Sequence, residues 1–204
     1  SGQLEAVNVL RDLPNLNKRL DTLRNYIKKE LNRNLLAVSN EITDQLNKGQ
    51  NTLSTIQSKL NTINRVINAG QDILNSGKKR IDTIQTALPA IENAYINAMR
   101  TAQAYFPTAK KDVAKAADFV RNDLPGLERE LANVTQSVNQ KIPSLFSRYD
   151  NAVDLLNEKQ PQAKEALASL ADFSENKLPD VEKDLKKANK IFKKLDKEIG
   201  RAHV

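Results

Sequence analysis

The sequence contains no cysteine and no tryptophan, and its single methionine is Met99. Without cysteine, the chain can form neither a disulfide bond nor a thiolate metal site. Aromatic residues make up only 4% of the chain, so a thick core of large side chains is hard to build. Burial must therefore depend on Leu, Ile, Val and Ala, which suits the narrow seams between packed helices.

Long apolar segments are missing as well. No run reaches the roughly 18 apolar residues that a membrane-spanning helix needs, and no signal peptide is present. Ser1-Gly2 is interpreted as the remnant of a cleaved expression tag, which would make the sequence an excised fragment. The formal net charge of +7 has two interpretations. It indicates either an acidic partner, such as nucleic acid, lipid head groups or wall polymer, or simply a well-solvated surface.

Motifs of catalytic and cofactor sites are also lacking. The single histidine, His203, is expected to be a solvated residue of the C-terminal tail. The sequence has no histidine or cysteine cluster for a transition metal and no glycine-rich phosphate loop, nucleophile elbow or zincin motif. Carboxylate pairs such as Glu128 and Glu130 are expected at solvent-facing helix positions. We therefore predict that the chain is not an enzyme and binds no cofactor or metal.

The chain does contain a proline repeated every 18 residues. Five turns of an α-helix take about 18 residues, so prolines at this spacing lie on one side of a helix. The members of this series are Pro89, Pro107, Pro125, Pro143, Pro161 and Pro179. On the solvent side, the carbonyl that proline leaves without a partner can bind water. The repeat therefore predicts long helices that bend at the prolines, although a break at one or two of them remains open.

Apolar residues keep fixed distances of 2, 6, 9 and 13 residues after these prolines. At about 100° per residue, those positions form a stripe opposite the proline. After Pro125 the stripe comprises Leu127, Leu131, Val134 and Val138, and after Pro179 it comprises Val181, Leu185, Ala188 and Phe192. After Pro161 it comprises Ala163, Leu167, Leu170 and the polar Ser174, beside Phe173. After Pro14 it comprises Leu16, Leu20, Leu23, Ile27 and Leu31.

Residues 46–91 repeat two seam positions in every heptad, a strong coiled-coil signal. The first position is Leu46, Leu53, Leu60, Ile67, Leu74, Ile81 and Leu88. The second is Gly49, Ile56, Ile63, Gly70, Gly77, Ile84 and Ile91. Each glycine either allows two helices to approach closely or ends a helix. The unbroken heptad phase favours a continuous helix through most of the glycines, with at most one or two chain reversals. Residues 47–51 and 75–79 are the candidate turns, and the second is slightly favoured.

The C-terminal segment concentrates positive charge in seven lysines: Lys183, Lys186, Lys187, Lys190, Lys193, Lys194 and Lys197. One interpretation is contact with anionic lipid or teichoic acid. The other is a solvated face, since lysine is also favoured near a helix C-terminus. Tyr95, Phe106, Phe146 and Tyr149 lie at or beside stripe positions. They are expected to be packing residues rather than stacking platforms for nucleic acid.

These patterns predict an all-α fold, an elongated coiled-coil or helical-bundle rod of long, proline-kinked amphipathic helices. We expect a single domain with a heptad part at residues 10–91 and a proline-repeat part at residues 89–199. One uninterrupted helix would be about 300 Å long, so a folded-back hairpin or a homodimer joined through the helical seam is expected. Small-angle scattering with mass determination tests this, because a radius of gyration near ~17 Å would indicate a globule instead.

Two motifs carry a resemblance to a known family. Residues 122–128 and 176–182 share an Asn-x-Leu-Pro-x-apolar-Glu unit, and residues 46–77 repeat Leu-x-x-Gly heptads. Over residues 10–199 the chain resembles the extracellular region of the YhgE/Pip family, the phage infection protein group of Gram-positive membrane proteins, and the related ectodomains of EsaA and YueB. The resemblance implies the extracellular face of the cell membrane, a parent protein anchored by segments resembling ABC-2-type permeases, and a phage tail protein as partner.

The leading hypothesis is a non-catalytic extracellular stalk or interaction domain of a Gram-positive membrane protein. It would serve as a phage adsorption receptor or as part of an ABC-2-like or type VII secretion-associated protein. The alternative is an amphipathic helical protein that binds lipid or wall polymer, although the seam at residues 46–91 is narrower than most lipid-binding faces. Binding to nucleic acid is disfavoured, because the basic residues lack a recognisable motif.

Overall fold

Helices account for nearly all of the chain in the computed structural model, which describes residues 2–48 and 53–199, and side-chain burial for residues 11–48, 57–72 and 74–198. The α-helices are α1 (Gly2–Tyr26), α2 (Asn32–Asn47), α3 (Leu53–Tyr105), α4 (Lys110–Asp118), α5 (Leu124–Asn157), α6 (Ala163–Asn176) and α7 (Leu178–Ile199). Two π-helical segments, Ile27–Leu31 and Phe119–Asp123, and a 3₁₀ turn, Pro107–Ala109, lie between them. Among the described residues there is no β-strand, so the predicted all-α fold of long helices is confirmed.

The helical segments pack into two units. The first unit consists of Ser1–Asp21, Gly77–Gln136 and Leu185–Val204, and the second of Thr22–Ser76 and Ser137–Asp184. Each unit is a helical bundle that combines segments from distant parts of the sequence. In the second unit, for example, α2 packs against α6.

The predicted apolar stripes form the interior of these bundles. All stripe positions after Pro125, Pro161 and Pro179 are buried, including Ser174. The heptad positions from Leu60 to Ile91 are buried too, with Gly70 and Gly77 among them, whereas Leu46 is half-buried. Gly49 and the side chains of Leu53 and Ile56 lie outside the described residues. Burying one such aliphatic side chain stabilises the fold by about 1.5–3 kcal/mol, so the stripes identify where the packing energy lies.

Most prolines lie within continuous helix, as the 18-residue repeat predicted. Pro14, Pro89 and Pro143 are interior residues of α1, α3 and α5, and all three are exposed. Pro125 and Pro179 are the second residues of α5 and α7 and are half-buried. The solvent-side position is therefore confirmed for Pro89 and Pro143 of the repeat, whereas Pro125 and Pro179 are partly covered.

The helix widens just before Pro125. Proline has no N–H to donate to the carbonyl four residues earlier. The preceding residue, Leu124, instead donates its N–H to the carbonyl of Phe119, five residues back, at the end of a π-helical segment. Before Pro179 the adjustment is a single turn residue, Lys177, whose N–H donates to the Phe173 carbonyl at 2.8 Å. The chain thus keeps its helical course through both sites with one widened or irregular turn.

The helix breaks that the sequence left open at one or two prolines occur at Pro107 and Pro161. Phe106, before Pro107, is extended with φ −130° and ψ 90°, and Pro107 opens the 3₁₀ turn. Pro161 lies in the non-helical residues 158–162, where Lys159 has φ 56°. The chain reverses at both sites, because contacts join the helices on either side. The rings of Tyr95 and Phe119 are 6.1 Å apart, and the Arg148 guanidinium lies 5.0 Å from the Phe173 ring centre.

Gly70 and Gly77 of the heptad region both lie within continuous helix, and Gly70 allows close helix packing. The prediction of a turn at residues 75–79 is wrong, because α3 runs unbroken from Leu53 to Tyr105. Helix α2 ends at Asn47, at the start of the other candidate turn, and residues 49–52 of that turn are outside the described part. A Cβ atom added at Gly70 would lie 3.0 Å from Cε1 of Tyr26 and 3.4 Å from Cδ1 of Leu31. Gly70 therefore leaves space for the Tyr26 ring.

We expect Gly70→Leu to lower the free energy of unfolding by about 1–3 kcal/mol, since the added side chain overpacks a filled contact. Gly126→Ala is the matched control, because its Cβ would have nothing nearer than Arg129 Nη2 at 3.9 Å. In a helix, that change should stabilise by about 0.5–1 kcal/mol. Urea unfolding followed by circular dichroism measures both. Equal effects of the two substitutions would contradict the close approach at Gly70.

Candidate functional site

The seven predicted lysines lie on one exposed side of α7. All of them are exposed, whereas Val181, Leu185, Ala188 and Phe192 are buried on the opposite side. Lys183 belongs to the second unit and the other six belong to the first. Within the described chain, no ion pair joins any of these lysines to a carboxylate. The six lysines of the first unit thus present a row of cations to solvent, here called the α7 lysine face.

The inner side of α7 carries an acidic residue that the sequence did not indicate as important. The Asp184 side chain is only 11% exposed, and its Oδ2 atom lies 3.1 Å from Nζ of Lys141 on α5. Ser137 donates its hydroxyl to the same oxygen at 2.6 Å, and Lys141 Nζ donates to Ser137 Oγ at 2.5 Å. The three side chains form a small polar cluster that joins α5 to α7 within the second unit.

A neighbouring serine and lysine can in principle form a nucleophile and its base. In this cluster, however, the serine proton points to Asp184 and the lysine is ion-paired with the same carboxylate. Both residues also lie inside α5, where backbone N–H groups bond along the helix and are not free to stabilise an oxyanion. The arrangement therefore serves as an interhelical ion pair. Asp184 falls three residues after Val181, and this helical phase was the only sign of its inward position.

A second buried polar contact lies in the first unit. Asn189 on α7 is only 2% exposed, and its Nδ2 atom donates to Asp21 Oδ1 at 2.6 Å. Single buried polar residues in helical seams fix the register of the paired helices at some cost in stability. Asn189 and Asp21 therefore set how α7 lies against α1 in this unit.

Most of the aromatic residues pack as predicted. Tyr95 is buried in an edge-to-face contact with Phe119, and Phe146 and Tyr149 are half-buried. The hydroxyl of Tyr149 donates to Asn64 Oδ1. The expectation is wrong for Phe106, which is 66% exposed. It follows the last residue of α3 and precedes Pro107, where the chain reverses and no stripe continues.

A cleft of about 370 Å³ opens in the second unit beside the first π-helical segment. Tyr26 closes one side of it and donates its hydroxyl to the Val66 carbonyl at 3.0 Å. The other lining residues are Glu30, Asn34, Ala37, Val38, Thr62, Arg65, Val66 and Ala69. The cleft lies between helices, and its lining combines apolar side chains with the polar Glu30, Asn34, Thr62 and Arg65.

Two pairs of like charges lie close together in the first unit, Glu92 with Glu128 and Arg80 with Arg19. Glu128 was expected on the solvent side of its helix. Glu128 is half-buried, and Glu130 is exposed as expected. Burial, and then the neighbouring Glu128, raise the pKa of Glu92 on α3. Burial, and then the nearby Arg19, lower the pKa of Arg80 on the same helix. Both shifts disfavour the charged form, so these two positions carry an electrostatic cost.

Three tyrosines are expected to make the free energy of unfolding decrease at alkaline pH. Burial is the main cause that raises the pKa of Tyr26, Tyr95 and Tyr149 above the ordinary value of 10.0. The folded protein therefore holds these protons more tightly than the unfolded chain does. Their contribution to stability is complete below pH 10 and should be lost as the pH rises through the folded-state values. We expect the midpoint of urea unfolding to fall as the pH rises above 10 in wild type, and to fall less steeply in Tyr149→Phe.

Among the described residues, no group of three or more His, Cys, Asp or Glu side chains is placed to hold a metal ion. His203 lies outside the described part. Over the same described residues, none of the helices combines the length and the apolar character that crossing a bilayer requires. Comparison of the chain with protein-family models, with curated proteins and with solved structures gave no match.

Proposed function

We propose that the chain is a non-catalytic interaction domain on the extracellular face of a Gram-positive membrane protein of the YhgE/Pip kind. Its partner is a protein, such as a phage tail component, and its parent protein is anchored in the membrane. One observation carries the proposal: the apolar stripes are covered by other helices of the same unit. When a helical bundle buries its apolar stripes inside itself, its outer surface is formed by charged and polar side chains. Surfaces of this kind are typical of interfaces that form and dissociate reversibly.

Competition for adsorption tests the receptor role. Purified protein should inhibit adsorption of the cognate phage to host cells in a dose-dependent manner, and deletion of this region in the host should abolish adsorption. A folded helical protein of similar charge serves as the control competitor. Unchanged adsorption after the deletion would contradict the receptor role. Mass determination by light scattering decides whether the binding species is a monomer or a homodimer.

A second candidate function is the binding of an anionic polymer or lipid, which the α7 lysine face favours. When a lysine binds a phosphate, the counterions of that phosphate are released into solution. The affinity therefore falls as salt is added. We expect substitution of four face lysines by glutamine to reduce binding to teichoic acid and to flatten its salt dependence. The variant changes Lys186, Lys190, Lys193 and Lys197. The charge-matched control changes four exposed lysines elsewhere, namely Lys28, Lys29, Lys79 and Lys164.

Lipid uptake by the apolar stripes would require the bundles to open. The described chain is already almost wholly helical, so a gain in helicity on liposome binding can only be small. Loss of near-ultraviolet circular dichroism from the packed tyrosines would instead report opening. Liposome binding with that loss would favour the lipid-binding alternative over the interaction domain.

A further inference from the structure

The connection between α3 and α4 exposes two neighbouring aromatic side chains. Tyr105 is 77% exposed and Phe106 is 66% exposed. Over the residues whose burial is described, no other large hydrophobic side chain is exposed. The other described aromatic residues are buried or half-buried. An exposed aromatic pair in a chain with so few aromatic residues therefore marks this reversal as a contact site.

Backbone hydrogen bonds hold the pair in place. The N–H of Phe106 donates to the Ala102 carbonyl at 2.8 Å, and the N–H of Ala109 donates to the Phe106 carbonyl at 2.8 Å. Pro107 fixes the backbone between these bonds. From Asn97 to Lys115 no residue is buried, and burial resumes at Ala116. Residues 97–115, here called the α3–α4 tip, are thus all exposed or half-buried.

Charge on the α3–α4 tip is strongly one-sided. Arg100, Lys110, Lys111 and Lys115 are exposed, and Asp112 is the single carboxylate between residues 97 and 115. The cations stand on both sides of the aromatic pair in sequence. Aromatic side chains with flanking basic residues are typical of segments that enter the interfacial region of a bilayer, where the rings lie among the head groups. The basic side chains add attraction to anionic lipids.

We infer that the α3–α4 tip docks into the surface of an anionic membrane, with Tyr105 and Phe106 inserted at head-group depth. A second copy of the chain is a poorer occupant, because it would place one basic tip against another. A stable protein interface also buries about 800 Å² on each partner, whereas two aromatic side chains supply at most about 500 Å². The inference concerns a different surface from the α7 lysine face and does not depend on the proposed phage partner.

The absence of tryptophan allows a direct test. Phe106→Trp places a single tryptophan in the tip and keeps an aromatic residue there. With vesicles of equal phosphatidylcholine and phosphatidylglycerol, its emission should shift to the blue and be quenched by brominated lipid. With phosphatidylcholine alone, partitioning should be much weaker. Gln160→Trp is the matched control, because residue 160 is also exposed and also precedes the proline of a chain reversal.

Two further variants separate the contributions. Tyr105→Ser with Phe106→Ser should reduce partitioning onto anionic vesicles at least about ten-fold. Arg100→Gln with Lys110→Gln and Lys111→Gln should reduce it about five-fold per charge at low salt. All of these side chains are exposed, so the thermal midpoint of each variant should match that of wild type.

Several results would overturn the inference. One is the absence of a blue shift in Phe106→Trp on anionic vesicles. Another is an equal shift in Gln160→Trp, which would indicate non-specific adsorption. A shift without vesicles, together with a doubled mass, would indicate self-association through the tip. Co-sedimentation with anionic vesicles that is lost in the α7 lysine-face variant but survives in the tip variants would assign membrane binding to α7, which would support the second candidate function and not the tip.

Discussion

Replacing Pro125 and Pro143 together with alanine should make the protein more stable. Pro143 lies in the interior of α5 and is exposed, so the substitution restores a helix hydrogen bond and removes a penalty of up to about 3 kcal/mol. The carbonyl four residues earlier belongs to Asn139, which is also exposed, so water already offsets part of this penalty. The gain at Pro125 should be smaller, because the π-helical turn before it already supplies an alternative bond.

Urea unfolding with a global fit of the midpoint and slope measures this gain. Pro161→Ala is the control, because Pro161 lies in a chain reversal. There proline restricts the unfolded chain, and its loss should destabilise by about 0.4–1 kcal/mol. Opposite signs for the two variants would confirm that proline acts differently in helix and in reversal. A loss of stability in the double variant would mean that α5 is not continuous through these prolines.

The polar cluster of Ser137, Lys141 and Asp184 should show the largest loss on a single substitution. Asp184→Ala leaves the Lys141 ammonium, which is only 23% exposed, without its carboxylate partner. Removing one partner of a largely buried ion pair costs about 3–5 kcal/mol, and partial exposure of the lysine places the expected loss near the lower figure. Thermal and urea unfolding of the purified variant measure it.

Two comparisons isolate the electrostatic part of that loss. Lys141→Met combined with Asp184→Leu removes both charges, so the double variant should be clearly more stable than Asp184→Ala alone. Asp44→Ala removes one partner of an ion pair in which both side chains are 62% exposed, and it should change stability little. If Asp184→Ala behaved like Asp44→Ala, the cluster would not hold α5 to α7.

The positions of the core residues could be predicted because helical phase depends only on local spacing. Stripe residues such as Leu131 and Phe192 are buried, as their distance from a proline indicated. The heptad phase continues unchanged through Gly70 and Gly77, and α3 continues with it. The composition of residues 75–79 suggested a turn, but the packing of the seam outweighs the low helix propensity of one glycine there.

The two chain reversals also left a sign in the sequence. At prolines where the helical course continues, the preceding residue is a buried aliphatic one: Leu13, Leu88, Leu124, Ile142 and Leu178. At the two reversals it is Phe106 or Gln160, and both are exposed. A residue before proline resists helical geometry, and burial in a seam supplies the energy that overcomes this resistance. Where no seam contact is available, the chain turns.

The polar sites could not be predicted in the same way. Asp184 meets Ser137 across 47 residues, and Asn189 meets Asp21 across 168. Such pairs depend on which helices become neighbours, and no local period encodes that. The exposure of Tyr105 was missed for a different reason. The helical pattern places apolar residues in buried seams, and it does not indicate which apolar side chain will remain exposed to solvent.

The separation between Asp21 and Asn189 also has a consequence for biosynthesis. The first unit joins α1 to α7 through Asp21 and Asn189, so α1 lacks this contact until the ribosome has made residue 189. At 5–20 residues per second, translation of the intervening segment takes roughly 10–30 s. During that interval α1 can pack against residues 77–136 of the first unit but not against α7. We expect the nascent chain to need holding by a chaperone or a secretion factor, and the first unit to become resistant to protease only after release.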